Sequence, residues 1–263
     1  AGSPAGADPE FPAGVGSTGM GSGGMEGGFG GLSQVLRFAQ TPARFTELRG
    51  VRQVLHLRMY DTRGGLLAEQ TMTHEADLTQ PDRDRLILTG DRVFGRNGPT
   101  VFAEVGGRPA PGLEHRAARQ LQLCGLLVRA PWRFSDAHDF TVFPEDTVEW
   151  EGQRVPRVRI EQRPRGAKGG GGVVGPLPQA SAVDRFELWC DPLDHRPARL
   201  RYTFAETGTQ VDVELDRYRR VGGVPLPHLR RFLRRDGSVS MEVEVLSADV
   251  FEEFSDATFR PRR

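Results

Sequence analysis

The sequence predicts an α+β fold in which a long run of antiparallel strands packs against a central helix. Three observations lead there. Segments from Leu55 to Val245 repeatedly alternate apolar and polar residues with the period of two that a half-buried strand shows. Asn97-Gly98 and Asp236-Gly237 are the pairs that tight hairpins favour. Only between Leu113 and Val128 does a long stretch change to helical spacing.

With 263 residues the chain can bury one substantial core, and a single large domain is the simplest organisation. Lys+Arg and Asp+Glu both number 35, so no net field draws the molecule to nucleic acid or to an anionic membrane surface. Lys168 is the only lysine. The arginines are scattered along the chain, the pattern of GC-rich coding rather than of a phosphate-binding segment.

Residues 1–31 are expected to be a flexible leader, because their glycines and few large apolar residues cannot offset the entropy of ordering. Asp8-Pro9-Glu10-Phe11 reads like the translation of adjoining cloning sites, so the leader is partly vector-derived on this reading. Its glycines lack the preceding strand and the Gly-Lys-Ser/Thr of a phosphate loop. The domain is expected to cover residues 32–263. No apolar run approaches the roughly 18 residues of a membrane span, and no signal core is present.

Leu32, Val35, Leu36 and Ala39 share a helical face behind a Ser33 cap, and Phe45 and Leu48 complete a second short piece after Thr41-Pro42. Leu55, Leu57 and Met59 then alternate with His56, Arg58 and Tyr60, which makes a half-buried strand. Arg63-Gly64-Gly65 turns the chain. Leu66, Ala68, Met72, Ala76 and Leu78 form one parity of a long strand that Gln70 and His74 interrupt, and His74 is read as a satisfied inner residue. Between Arg85 and Val105 lie three short strands joined partly through Asn97-Gly98. Leu113, Ala117, Leu121, Cys124 and Val128 make the helical stripe, with Leu127 beside it and Pro131 as its end. Strand signals return at Phe140, Asp146 and Arg154, and Pro156 marks an edge or bulge. The segment from Arg163 to Ser181, with Gly169 to Gly172 at its centre, reads as a solvated mobile loop rather than a phosphate-binding arm.

The stretch from Arg185 to Phe204 concentrates Cys190, Asp191, Asp194 and His195, which raises the question of a metal or catalytic site. Phe186, Leu188 and Cys190 alternate with Glu187 and Trp189, Asp191-Pro192 and Asp194 carry turn chemistry, and Leu200, Tyr202 and Phe204 open the next strand. This is a hairpin connection. The paired cysteines or histidines of a zinc site are missing, since the other cysteine is Cys124, and no nucleophile elbow is present. No metal, cofactor or catalytic residue is expected. Cys124 and Cys190 are either two buried thiols or a disulfide, depending on the compartment. Val211, Val213 and Leu215 face away from Asp212, Glu214 and Asp216; Gly222-Gly223 turns the chain, and Leu229 and Leu233 continue it. Asp236-Gly237 turns it again into Val239, Met241, Val243 and Val245. A tail through Phe251, Phe254 and Phe259 is expected to close over an edge of this meander.

The succession "LWCDPLDHRPARLRYTF", "VDVELDRYRRVGGVPLPHLRRFLRRDGSVSMEVEVL" and "FSDATFRP" resembles the outer-membrane lipoprotein-sorting and carrier superfamily, LolA-like and LppX-like, over roughly Leu32 to Pro261. "RLILTGDRVFGRNGPTVFAEVGG" is similar to the paired strands that precede that family's helical lid. The glycine loop, the abundant strand arginines and the proline-rich "GRPAPGLEH" depart from it. The resemblance implies a strongly curved antiparallel sheet, a half-barrel, with helices covering a concave face that can hold acyl chains. It brings no catalytic motif. A ligand cavity would then be lined by Leu55, Leu57, Met59, Met241 and Val243 from the sheet and by Leu113, Leu121 and Val128 from the helix. The expected function is a non-enzymatic envelope protein that carries or senses a lipid or lipoprotein acyl chain. The alternative is an interaction or structural module with a filled core and no ligand. An envelope protein partner fits either reading, nucleic acid is not expected as a partner, and the chain itself is not expected to be an integral membrane protein. The expected location is periplasmic or otherwise extracytoplasmic, after removal of a signal peptide.

Overall fold

The alternating segments build a single sheet. A computed structural model describes residues 48–130, 132–135, 139–143, 146–162, 183–205, 207–251 and 254–261. The expected leader, the helical pieces before residue 48 and the glycine loop lie outside these residues.

The strands are β1 Gly50–Tyr60, β2 Leu66–Asp77, β3 Arg83–Leu88, β4 Arg92–Asn97, β5 Thr100–Val105 and a short β6 Arg108–Pro109 that alternation does not reveal. The helix α1, Glu114–Arg129, follows a 3-10 turn at Pro111–Leu113. Then come β7 Phe140–Val142, β8 Asp146–Trp150, β9 Gln153–Gln162, β10 Arg185–Cys190, β11 Pro197–Thr203, β12 Gln210–Val221, β13 Val224–Leu233 and β14 Val239–Phe251. All pair antiparallel in the order β6-β5-β4-β3-β2-β1-β14-β13-β12-β11-β10-β9-β7, with β8 on β9. The ends of this order are not joined, so the sheet is open. β1 and β14 unite the two halves, with Leu57 opposite Val243 and Met59 opposite Met241.

The sheet must curl strongly. Helix α1 packs on β4 and β5, yet its Gln122 Nε2 donates to Tyr202 Oη on β11. From β4 to β11 is seven steps in the order, roughly 34 Å if flat at about 4.8 Å per strand. A helix is only about 10 Å wide. A half-barrel wrapped around the helix satisfies both contacts, and it is an α+β architecture as expected. Among the described residues α1 is the one α-helix, and no helix is long and apolar enough to cross a membrane.

Turn chemistry holds where the sequence places it. Gly222 and Gly223 both have positive φ, 58° and 86°, which the tight link from Val221 to Val224 requires. Asp61 accepts from the backbone N–H groups of Arg63 and Gly65, and Asp236 from that of Ser238. Pro156 lies one residue beyond the last β9–β10 pair, Arg157 with Trp189, so its missing N–H interrupts no ladder on that side.

The sequence leaves the face of β13 open, and the expectation for the tail needs correction. In β13 the inward parity is Leu226, His228, Arg230 and Phe232, because Arg230 lies opposite Val243 and Phe232 opposite Met241. Leu229 points the other way, opposite Glu244. The run VPLPHLRRFL is too continuously apolar for alternation to choose a face. Among the described residues the tail packs on interior strands and not on an edge strand: Phe254 packs on Gly50 of β1, and Phe259 is buried beneath the Arg83 guanidinium of β3, 4.9 Å from the ring centre.

The convex face accounts for the scattered arginines. Arg201 holds Asp212 with two hydrogen bonds of 2.8 and 3.0 Å, and Arg199 reaches the same carboxylate at 3.1 Å. Arg157 grips Asp146, Arg58 reaches Glu244, and Arg52 reaches Glu75. Trp189 lies under Arg199 and Arg201, whose guanidinium carbons stand 5.4 and 5.1 Å from its ring centre. Each half-exposed pair contributes little, about 0–1 kcal/mol. Together they pair these strand arginines with carboxylates of the same face.

Candidate functional site

The concave face is where a ligand could enter, and its residues fall into three layers. The largest is apolar. Leu55, Leu57, Met72, Leu86, Phe94, Leu188, Leu200, Val213, Phe232, Val243 and Val245 form one buried cluster with Ala117, Leu121, Leu126 and Leu127 of α1. Phe134, Phe140, Phe186 and Tyr202 extend it as a chain of rings, with centres 5.0 Å apart for Phe134–Phe186 and 4.8 Å for Phe186–Tyr202. A smaller apolar cluster contains Val51, Ala76, Val128, Val224 and Leu226. Val51, Val128, Val224 and Leu226, with Leu48, Leu78 and Val250, line a narrow apolar groove of about 10 Å³.

Between the two lies a polar layer. On β1 the inward residues run Val51, Gln53, Leu55; on β2 Ala76, His74, Met72; on β13 Leu226, His228, Arg230, Phe232; and on β3 Asp84 precedes Leu86. The polar member is buried on each of the four strands. Helix α1 adds Arg129 from above, and hydrogen bonds tie it to the strands. Arg129 Nη1 and Nη2 donate to Asp84 Oδ2 and Oδ1 at 3.1 and 3.0 Å. Its Nε and Nη2 also donate to the Asp77 carbonyl at 2.9 and 2.7 Å. His74 Nε2 donates to Asp84 Oδ1 at 3.1 Å, which leaves Nδ1 as an acceptor. Arg230 Nη2 donates to Gln53 Oε1 at 3.2 Å.

Burial sets the electrostatics. It lowers the His74 imidazole, more than offsetting Asp84, so the ring is neutral near pH 7. Burial alone would raise Asp84, but the Arg129 charge and then the His74 hydrogen bond hold its carboxyl below the usual value. Burial lowers Arg230 to about 10, still well above neutrality, and pushes the nearby Cys124 thiol up to about 12. Such a thiol is a poor nucleophile. Cys124 and Cys190 are not bonded to each other.

The expected cavity residues are only partly assembled. Leu55, Leu57, Leu121 and Val243 lie in the large cluster, and Leu113 and Met241 pack against it. Val128 belongs to the smaller cluster across the polar layer. Met59, 39% exposed, stands at the rim of the sheet, and Leu66 beyond it is 54% exposed. The sequence reading missed the polar layer as a unit. Its signal was there: Gln53, His74, Asp84 and Arg230 each break the apolar parity of their strand.

The Cys190 to His195 segment is a turn. Asp191 Oδ1 accepts from the backbone N–H of Leu193 at 2.8 Å, Asp194 Oδ1 accepts from that of Arg196 at 2.9 Å, and His195 has φ of 58°. Among the described residues no group of three or more His, Cys, Asp or Glu is arranged to hold a metal ion.

No family model matches this sequence, and no curated protein matches it either. Solved structures do. A LolA superfamily protein from Nitrosomonas europaea superposes with a TM-score of 0.53 at 10% identity, over 87% of this chain and 96% of that one. A DUF1329 family protein from Desulfovibrio piger gives 0.50 at 9% identity, over 90% and 98%. An outer-membrane lipoprotein-sorting protein domain from Vibrio parahaemolyticus gives 0.47 at 13%, over 86% and 96%. At such identities a likeness speaks for the fold alone, and together with the open, curled antiparallel sheet around one helix it shows that this chain has the LolA-like fold.

Proposed function

We propose that this chain is a non-enzymatic, extracytoplasmic binding protein that holds a lipid or lipoprotein acyl chain between the concave sheet face and α1. The observation that carries the reading is the nature of the roof. Among the described residues one helix, not a second sheet, covers an apolar lining drawn from β1 to β5 and from β9 to β14. Its described polar ties are few: Gln122 to Tyr202 and Asp184, the Ala118 carbonyl to Arg96, and Arg129 to Asp84 and the carbonyls of Asp77 and Arg83. A roof held this way can shift without breaking the ladders of the sheet. The apolar chain it admits gains about 0.8 kcal/mol per buried methylene. Similarity to a LolA superfamily protein supports the fold on which this reading rests.

One observation favours the second reading, an interaction module with a filled core: Leu55, Leu86, Phe94, Leu121 and Leu188 are fully buried against their neighbours. Native mass spectrometry after mild purification, with organic extraction and a fluorescent fatty-acid titration, separates the two. A co-purified amphiphile or saturable probe binding is expected. Absence of both at any accessible concentration overturns the carrier reading in favour of the filled module.

A further inference from the structure

Arg230 is the anomaly of the polar layer. Its side chain is about as buried as that of Arg129, with 1% and 2% exposure, yet their surroundings differ. Arg129 meets the Asp84 carboxylate and the carbonyls of Asp77 and Arg83. Arg230 makes no ion pair with any carboxylate among the described residues. Its one hydrogen bond among the described residues goes to the neutral Gln53 amide. Among the described residues no group hydrogen-bonds to Arg230 Nε, Gln53 Nε2 or His74 Nδ1. Holding a guanidinium away from water without a counter-charge is costly, and the chain gains little from it unless an anion completes the site.

We propose that Arg230 and Gln53 form an oxyanion site that anchors the head group of the bound amphiphile. This rests on the carrier reading above and specifies its ligand as anionic. The unmet N–H groups of Arg230 and Gln53 are both donors, and a carboxylate or phosphate oxygen is the acceptor that suits them. The layer's charge balance points the same way: Asp84 answers Arg129, His74 is neutral, and Arg230 stays uncompensated. The position also fits an amphiphile. One step along the same strands toward β13's start lies the apolar groove of Val51, Val224 and Leu226, and one step the other way lies the large cluster of Leu55, Phe232 and Val243. A ligand with its head at the polar layer places its chain in the large cluster.

The test compares dodecanoate, dodecyl phosphate and dodecanol by displacement of a fluorescent fatty-acid probe, on the parent and on Arg230→Met. The parent is expected to bind at least one anion about tenfold to a hundredfold more tightly than the alcohol, the range of a charge-assisted hydrogen bond. Whichever anion binds better identifies the head group as carboxylate or phosphate. Arg230→Met should erase that preference while alcohol binding persists. Its melting temperature should hold or rise, since an apolar chain replaces an uncompensated buried charge. Gln53→Leu, which removes the second donor, should lower the preference in the same direction and serves if Arg230→Met fails to fold. Equal binding of anions and alcohol by the parent, or a preference that survives both substitutions, overturns the oxyanion site and leaves the carrier reading standing. Binding of none of the three overturns both.

Discussion

Arg129, in the last turn of α1, is clamped to Asp84 of β3 by two hydrogen bonds of 3.1 and 3.0 Å, and neither side chain is more than 2% exposed. This pair fastens the helix to one half of the half-barrel. Substituting Asp84→Asn or Arg129→Met leaves the surviving partner buried without its counter-charge, which is expected to cost about 3–5 kcal/mol. Replacing both together should cost clearly less than the sum of the single changes. Urea unfolding of the four-member cycle measures this coupling, and additive effects would show that the pair does not act as a unit.

Gly125 lies one turn before Arg129. A Cβ there would stand 2.5 Å from Arg129 Nη1 and 2.8 Å from Asp84 Oδ2. In an exposed helix interior Gly→Ala would stabilise by about 1 kcal/mol. Here the opposite sign is expected: Gly125→Ala should lower stability by about 1–3 kcal/mol, because the methyl displaces the ion pair. A rise in the urea midpoint would show that the clamp yields easily.

The polar layer also makes stability depend on pH. Burial lowers the His74 pKa in the folded state, and that of His228 as well. Below the ordinary imidazole value of about 6.5 the unfolded chain therefore binds protons that the folded chain refuses. Stability should be full above that value and decline as pH falls. Asp84, also lowered, adds a second decline below about pH 4. His74→Gln should make the first limb shallower in urea midpoints taken between pH 7.5 and 5, leaving the part due to His228. An unchanged slope would remove His74 as its source.

Leu121 is fully buried in the large cluster. Leu121→Trp distinguishes a space that can open from one already packed. In a carrier it should weaken fatty-acid probe binding at nearly constant stability. In a filled module it should cost about 1–3 kcal/mol. A chemical unfolding curve beside a probe titration reads both.

The local elements were legible in the sequence because their causes are local. Alternation at Leu55, Leu57 and Val243, the glycine pair at 222 and 223, the helical stripe from Ala117 to Val128 and the Asp191 turn all follow from side-chain period or backbone chirality within a few residues. The tertiary structure decided what proximity along the chain cannot encode. The pairing of β1 with β14 joins residues nearly 190 positions apart, as Leu57 with Val243, and so makes one sheet of the two halves. Curling of that sheet moved Val128 into a different cluster from Leu121 and left Met59 at the rim. Gln53, His74, Asp84 and Arg230 each read singly as an interruption of a strand. They became a layer only when four strands aligned in register, because a buried polar group finds its partner on the neighbouring strand or on the helix above it, and not in its own sequence.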